Sequence, residues 1–223
     1  MANDTSLLGQ VKQKLIDSKR KWADEGRLLT GKAGLKGRDR LPPGQHEVKN
    51  WPVLDLGVQP KIDLWDWQLK VDGLVDAPAS FTFQDLLALP QSEDVSDIHC
   101  VTAWSRYDNH WVGVRTRDLI ARVRPKPDAR FVMCHAYDGY TTNLRFEHFA
   151  AEDALLAHSW EGKPITREHG GPVRMVIPRW YFWKSAKWIK RIEFTAKDRP
   201  GFWENRGYHN QGDPWTEQRY SRD

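Results

Sequence analysis

Apolar positions along the chain fall in short runs whose spacing switches repeatedly between helical and extended. Leu8, Val11, Leu15 and Trp22 recur at helical spacing and predict a helix over 5–24. Asp4 or Thr5 stands where a capping side chain belongs, and Lys12, Lys14, Lys19 and Arg20 read as the solvated face. The stretch 26–44 holds five glycines and two prolines and reads as a loop leading into the main body. Residues 45–58 look extended, and the alternation of Trp65, Trp67, Leu69 and Val71 predicts a half-buried strand ending at Asp72-Gly73. A short helix from about Gln84 carries Leu86, Leu87 and Leu89 and stops at Pro90.

Val95 and Ile98 lead a strand to Cys100. A helix over 116–123, capped by Thr116, precedes a strand over 130–134, and Asp138-Gly139 turns a hairpin into 140–144. Residues 146–160 read as helical and 161–164 as a turn. Strands follow at Val173, Met175 and Ile177 and over 188–195. Strands outnumber helices without regular βα alternation, so the fold class is α+β rather than doubly wound α/β. The stretch 199–223 is irregular but rich in tryptophan and tyrosine, which predicts a packed tail, since disordered tails are poor in aromatics.

The 223 residues suffice for one large domain or two small ones, and the pattern divides them into an N-terminal helix and linker, 1–44, and a main domain, 45–223. A net charge of +4 is compatible with an anionic ligand. The 12 tryptophans are scattered and no nucleic-acid motif accompanies them, so no nucleic-acid partner is expected. Two cysteines make no disulfide framework, and no apolar run is long enough for a membrane span or shaped like a signal peptide. Those features place the expected compartment in the cytoplasm.

Three stretches carry candidate chemistry. Cys100 ends its strand beside a small turn bearing Trp104, and a thiolate there is a soft metal ligand, although a single intracellular cysteine is more often a small buried hydrophobe. In His169-Gly170-Gly171-Pro172-Val173-Arg174 the glycines would let backbone amides approach a ligand. With Ser185-Ala186-Lys187, the guanidinium of Arg174 and the ammonium of Lys187 suit a phosphate. Each piece alone also reads as a tight turn before a solvated strand. Asn50, just before Trp51-Pro52, offers donors and an acceptor to a heterocycle, or simply sits in a turn.

Taken together and in order, these motifs resemble the sulfite oxidase family of molybdenum–pyranopterin oxidoreductases, closest to its stand-alone bacterial members related to the catalytic subunit of methionine sulfoxide reductase. The resemblance runs from about Gln45 to the C-terminus and includes Trp111-Val112-Gly113, Asp118-Leu119 and Trp203. It implies a mixed, mostly-β sulfite-oxidase-type fold, a molybdenum–molybdopterin cofactor and Cys100 as the molybdenum ligand. It further implies Asn50, His135, His169, Arg174, Ser185, Ala186 and Lys187 as cofactor-binding residues, with Tyr208 beside the metal. Lys49 and the Val-Thr-Ala-Trp-Ser-Arg segment after Cys100 depart from the arginine-rich pattern of sulfite-oxidising members, leaving Arg106 as an anion contact. The expected activity is oxygen-atom transfer to or from a small sulfite- or sulfoxide-like substrate, with a separate redox carrier protein. Two alternatives stand beside it: a cysteine- or zinc-dependent enzyme using Cys100, Cys134 and histidines, and a non-catalytic basic, aromatic-rich binding module. His99, His135, His169 and His209 lack zinc-site spacing.

Overall fold

Paired strands and one hairpin turn position everything that follows. The structure is a computed structural model and describes residues 7–25 and 40–223. The proposed caps Asp4 and Thr5, and most of the linker, lie outside the described residues. Helix α1 (Leu7–Glu25) precedes a first sheet built on β4 (Gln91–Cys100) and β5 (Trp104–Arg115). The short β1 (His46–Glu47) runs parallel to the start of β5, while β8 (Leu155–Trp160) lies antiparallel on it. Then β10 (Arg174–Val176) extends the sheet from β8, and β9 (Lys163–Pro164) closes a tight hairpin on β8.

The second sheet runs in the order β3 (Ala79–Thr82), β2 (Gln68–Gly73), β11 (Ile189–Thr195), β6 (Phe131–Ala136) and β7 (Thr141–Arg145). The β2–β11 pair is parallel and the others are antiparallel. Leu69 and Val71 of β2 and Ile189, Ile192 and Phe194 of β11 fill the larger core. A second, tryptophan-rich cluster gathers Trp51, Trp104, Trp111 and Trp203 with Cys100 and Tyr208. Helices α2 (Phe83–Ala88), α3 (Thr116–Val123) and α4 (Phe146–Phe149) are short. Thr82 and Asp85 form a reciprocal capping box at the start of α2.

Mixed sheets with few helices bear out the α+β expectation. The helix expected over 146–160 is corrected: α4 ends at Phe149, and Leu155, Leu156 and Ala157 are fully buried in β8 between β5 and β10. A short continuous apolar run fits a buried strand as well as a helix, and sheet pairing decided it here. Trp65 does not extend β2. Both Asp66 and Trp67 donate back to the Asp63 carbonyl, and that turn leaves Trp65 84% exposed. Thr116 does not cap α3 either, because its hydroxyl donates to the Phe149 and Ala154 carbonyls instead. Gly113 has a packing reason: a Cβ there would stand 2.1 Å from the Leu156 carbonyl oxygen, where β5 bulges against β8.

Helix α1 is not a detached element. Its inward face runs through Lys12, Leu15, Ile16, Lys19 and Trp22, a stripe at helical spacing, whereas Val11 points outward at 45% exposure. The solvated face expected of the lysines therefore fails at Lys19, which is buried. Among the described residues, no helix is long and apolar enough to cross a membrane.

Candidate active site

Cys100 is the last residue of β4, paired with Trp104 across a tight turn. Ala103 closes that turn at φ 67 and donates to the Cys100 carbonyl at 3.0 Å, a left-handed conformation that costs a residue with a Cβ. The turn is held from both sides. Gln45 Nε2 donates to the Cys100 carbonyl at 3.1 Å, and Arg219 Nη1 donates to the Val101 carbonyl at 3.1 Å. The thiol is 7% exposed and lies 3.2 Å from Thr102 Oγ1. Burial pushes its pKa up, while Thr102, Lys19 and Arg219 pull it down.

Cys100 opens into a cleft of about 890 Å³ including its mouth, shared by Trp51, His169, Arg174, Lys187 and Tyr208. Arg174, at 2% exposure, donates to three carbonyls: His169 at 2.6 Å, Ser185 at 2.9 Å and Met175 at 3.3 Å. Its guanidinium lies between the rings of Phe182 and Trp51, 4.3 and 5.2 Å from their centroids. Lys187 Nζ donates to the Glu168 carbonyl at 2.8 Å. Among the described residues neither cation has a carboxylate within ion-pair distance. Burial accordingly lowers Arg174 to about 9, and burial with the neighbouring Arg174 charge lowers Lys187 to about 7.

His169 stacks on Trp51 with ring centroids 4.0 Å apart, its Nε2 3.2 Å from the Trp51 carbonyl and its Nδ1 3.0 Å from Thr166 Oγ1. Ser185 Oγ accepts from the Ile177 amide at 2.9 Å, and Ala186 sits buried behind it, its carbonyl accepting from Met175 N. The amides of Gly170 and Gly171 are spent on the Arg167 and Thr166 carbonyls, so they do not face the cleft as expected. Gly170 instead lets the chain approach Lys187, whose Cβ would stand 2.8 Å from a Cβ at that position. Tyr208 packs edge-on to Trp183 at 5.1 Å and tilted against Trp203 at 4.9 Å.

Four expected site residues do not line the cleft: Ala186, buried behind Ser185, and Asn50, His135 and Arg106. Asn50 is exposed, and its neighbour Trp51 takes the place at the wall. His135 projects from β6 to Glu193 Oε2 at 3.1 Å, while its neighbour Cys134 is in the larger core. Arg106 lies two rungs along β5 from the turn, where it stacks over Trp160 at 4.7 Å and donates to Asn109 Oδ1 at 2.6 Å. Lys19, Trp51 and Trp183 line the cleft without having been expected there. Helical spacing from Ile16 would have pointed to Lys19, but a lysine on an exposed-looking helix carries no other signal.

One buried thiol and two cations, the buried Arg174 and the half-buried Lys187, share this cleft, an arrangement suited to an anionic metal–organic group. The fold agrees: the chain matches sulfane dehydrogenase SoxCD of Paracoccus pantotrophus with a TM-score of 0.58 at 24% identity, over 62% of this chain and 40% of that one. Residues 56–203 match the oxidoreductase molybdopterin binding domain. The chain therefore belongs to that family, the sulfite oxidase family of oxidoreductases. It is 49% identical to the uncharacterized oxidoreductase YuiH of Bacillus subtilis, over 82% of this chain and 93% of that protein. It is 32% identical to the protein-methionine-sulfoxide reductase catalytic subunit MsrP of Ralstonia nicotianae, over 61% of this chain and 46% of that one, so it spans about half of that relative.

The residues present fit the family's cofactor. The buried Arg174 and half-buried Lys187 are met by carbonyls and aromatic rings, with no carboxylate in ion-pair distance among the described residues, and the phosphate of a molybdopterin would supply the missing negative charge. Cys100 supplies a thiol at the same cavity. Among the described residues, no group of three or more histidine, cysteine or acidic side chains could hold a metal ion, which leaves the zinc alternative without a ligand set.

Proposed function

We propose that this oxidoreductase transfers an oxygen atom to or from a small sulfite- or sulfoxide-like substrate, with Cys100 as the molybdenum ligand and a separate protein as electron carrier. The observation that carries the reading is the burial of Cys100 at a strained turn in the same cleft as Arg174 and Lys187. When bound, the molybdenum–pyranopterin supplies the two-electron, oxygen-transfer chemistry that protein side chains lack. The chain's own residues do the holding. Arg174 and Lys187 neutralise the phosphate, Trp51 and His169 present flat surfaces to the organic part, and Tyr208 offers a hydroxyl where charge develops. Asn50, His135 and Arg106 do not serve as direct contacts in this reading.

The relatives named as methionine-sulfoxide reductase subunits support a sulfoxide-like substrate. The description of the Ralstonia nicotianae relative as a catalytic subunit supports a redox partner on a separate chain. A reducing compartment, the cytoplasm, keeps the Cys100 thiol available. Molybdenum and released pterin, measured on protein from a host that makes the cofactor, test the reading: about one molybdenum per chain is expected. Protein from that host with neither metal nor pterin overturns it.

A further inference from the structure

One cation that lines the cleft and acts on Cys100, Lys19, comes from outside the family's matched segment, on α1. That helix is docked across the cleft by several contacts. Leu15 reaches Gly57 closely enough that a Cβ there would lie 2.9 Å from Leu15 Cδ1. Ile16, 1% exposed, joins the aromatic cluster that holds Cys100. Lys12 Nζ stands 5.3 Å over the Phe202 ring, and the Arg20 carbonyl accepts from the Tyr220 hydroxyl at 3.2 Å.

This docking buries Lys19 to 9% exposure in the wall of the cleft. Its ammonium donates to the Asp55 carbonyl, and among the described residues no carboxylate lies within ion-pair distance of it. The Asp55 carboxylate is engaged elsewhere, accepting from the Gly57 amide at 2.8 Å and from Gln59 Nε2 at 2.6 Å. An ammonium has three donors, so a single carbonyl leaves two to be met. Of the cleft's cations, Lys19 is the one whose charge acts on Cys100; Lys19 and Arg174 both act on Lys187, and the Asp55 charge acts on Lys19 and Lys187.

A second group at the same end is short of a partner. Trp104 pairs with Cys100 across the turn, is 1% exposed and lines the cleft, yet its indole Nε1 has no hydrogen-bond partner among the described residues. A buried donor without an acceptor is costly, and the underused donors of Lys19 and Trp104 line the same cleft as the Cys100 thiol, where oxygen atoms bearing negative charge would satisfy them. Asp138 also lines the cleft, and its charge acts on Lys187.

We propose that Lys19 is a specificity-determining residue of this site: its ammonium, with the indole N–H of Trp104, holds the charged oxygens of a small oxyanion substrate beside Cys100. The assignment rests on the sulfite-like branch of the functional reading above, since a sulfoxide is neutral, and divides the cleft's charges by task. Arg174 and Lys187 hold the cofactor's phosphate, and Lys19 supplies the positive charge that the segment after Cys100 lacks and that Arg106 does not bring. The selecting charge then lies on an element that the family domain, residues 56–203, does not include.

The test uses molybdenum-loaded enzyme, in which the phosphate end is filled, and inorganic sulfate as an unreactive probe. Lys19→Met keeps the length of the stem packed in the wall and removes the charge. Calorimetric titration should show sulfate bound by the wild-type enzyme and about 10- to 100-fold more weakly by Lys19→Met, with molybdenum and pterin per chain unchanged. Lys19→Arg, which restores the charge, should bind sulfate within about threefold of wild type. Equal sulfate affinity in wild type and Lys19→Met overturns the assignment, as does failure of the wild-type enzyme to bind sulfate. Loss of cofactor from Lys19→Met, restored in Lys19→Arg, overturns it too, because Lys19 would then serve the cofactor. Absence of molybdenum from the wild-type enzyme is a separate result that removes the functional reading itself.

Discussion

At the scale of the residue, the cleft sets a thiol against buried positive charge. Burial raises the Cys100 pKa by more than Thr102, Lys19 and Arg219 lower it, so the thiol stays neutral until a metal cation binds and holds the thiolate. Cys100→Ser should abolish turnover, while stability falls by about 1 kcal/mol and the circular dichroism spectrum stays that of the wild type. Full activity in that variant removes Cys100 from the chemistry. Lys187→Met should lower pterin occupancy after purification about tenfold, measured by fluorescence of the released pterin. Lys187 is the cleaner variant of the proposed phosphate pair, since loss of Arg174 would also strand the three carbonyls it satisfies.

At the scale of the element, the cleft wall is braced from behind by a buried ion pair. Lys184 Nζ and Glu204 Oε1 are 2.5 Å apart, with side chains 1% and 2% exposed. Lys184 also donates to the carbonyl and side-chain oxygens of Asn143, each at 3.0 Å. Glu204 accepts from Trp183 Nε1 at 3.0 Å and from Thr142 Oγ1 at 3.1 Å, so one carboxylate fixes a cleft tryptophan and ties β7 to the C-terminal segment. Lys184→Met leaves that carboxylate buried without its cation and should cost about 3–5 kcal/mol in urea unfolding. Lys184→Met combined with Glu204→Gln should recover part of the loss, because neither charge is then stranded. A double variant no more stable than the single one would mean that packing, not charge, sets the cost.

For the whole molecule, the cations of the cleft link stability to pH. Lys187 titrates at about 7 in the folded chain and at its ordinary value of 10.5 when unfolded. Between those values the unfolded chain binds more protons, so stability rises with pH and is lost as pH falls toward 7. Cofactor-free protein should therefore melt higher at pH 8.5 than at pH 7, by about 2–4 °C for each kcal/mol gained. That interval lies below the region where the raised thiols of Cys100 and Cys134 act in the opposite sense. Cofactor-loaded protein should show a flatter profile, because a bound phosphate restores the charged form of Lys187. Identical slopes with and without cofactor would separate Lys187 from the phosphate.

The sequence by itself determined what is local or strictly ordered. The alternation of Leu69 and Val71, the Asp138-Gly139 hairpin and the stop at Pro90 all appear as read, because turn chemistry and period-two burial act over a few residues. Cys100, His169, Arg174, Ser185, Lys187 and Tyr208 were legible through motif order, and the fold brings all six to one cleft. Tertiary structure alone decided the rest. Whether 155–160 became helix or strand depended on β5 and β10 lying on either side of it. Which residue of Asn50-Trp51 met the cleft, and that Arg106 turned to Trp160, depended on packing between segments distant in sequence. Lys19 is the sharpest case. A lysine on an amphipathic helix is solvated or buried according to what the helix docks against, and the aromatic wall that buries it is assembled from residues up to two hundred positions away.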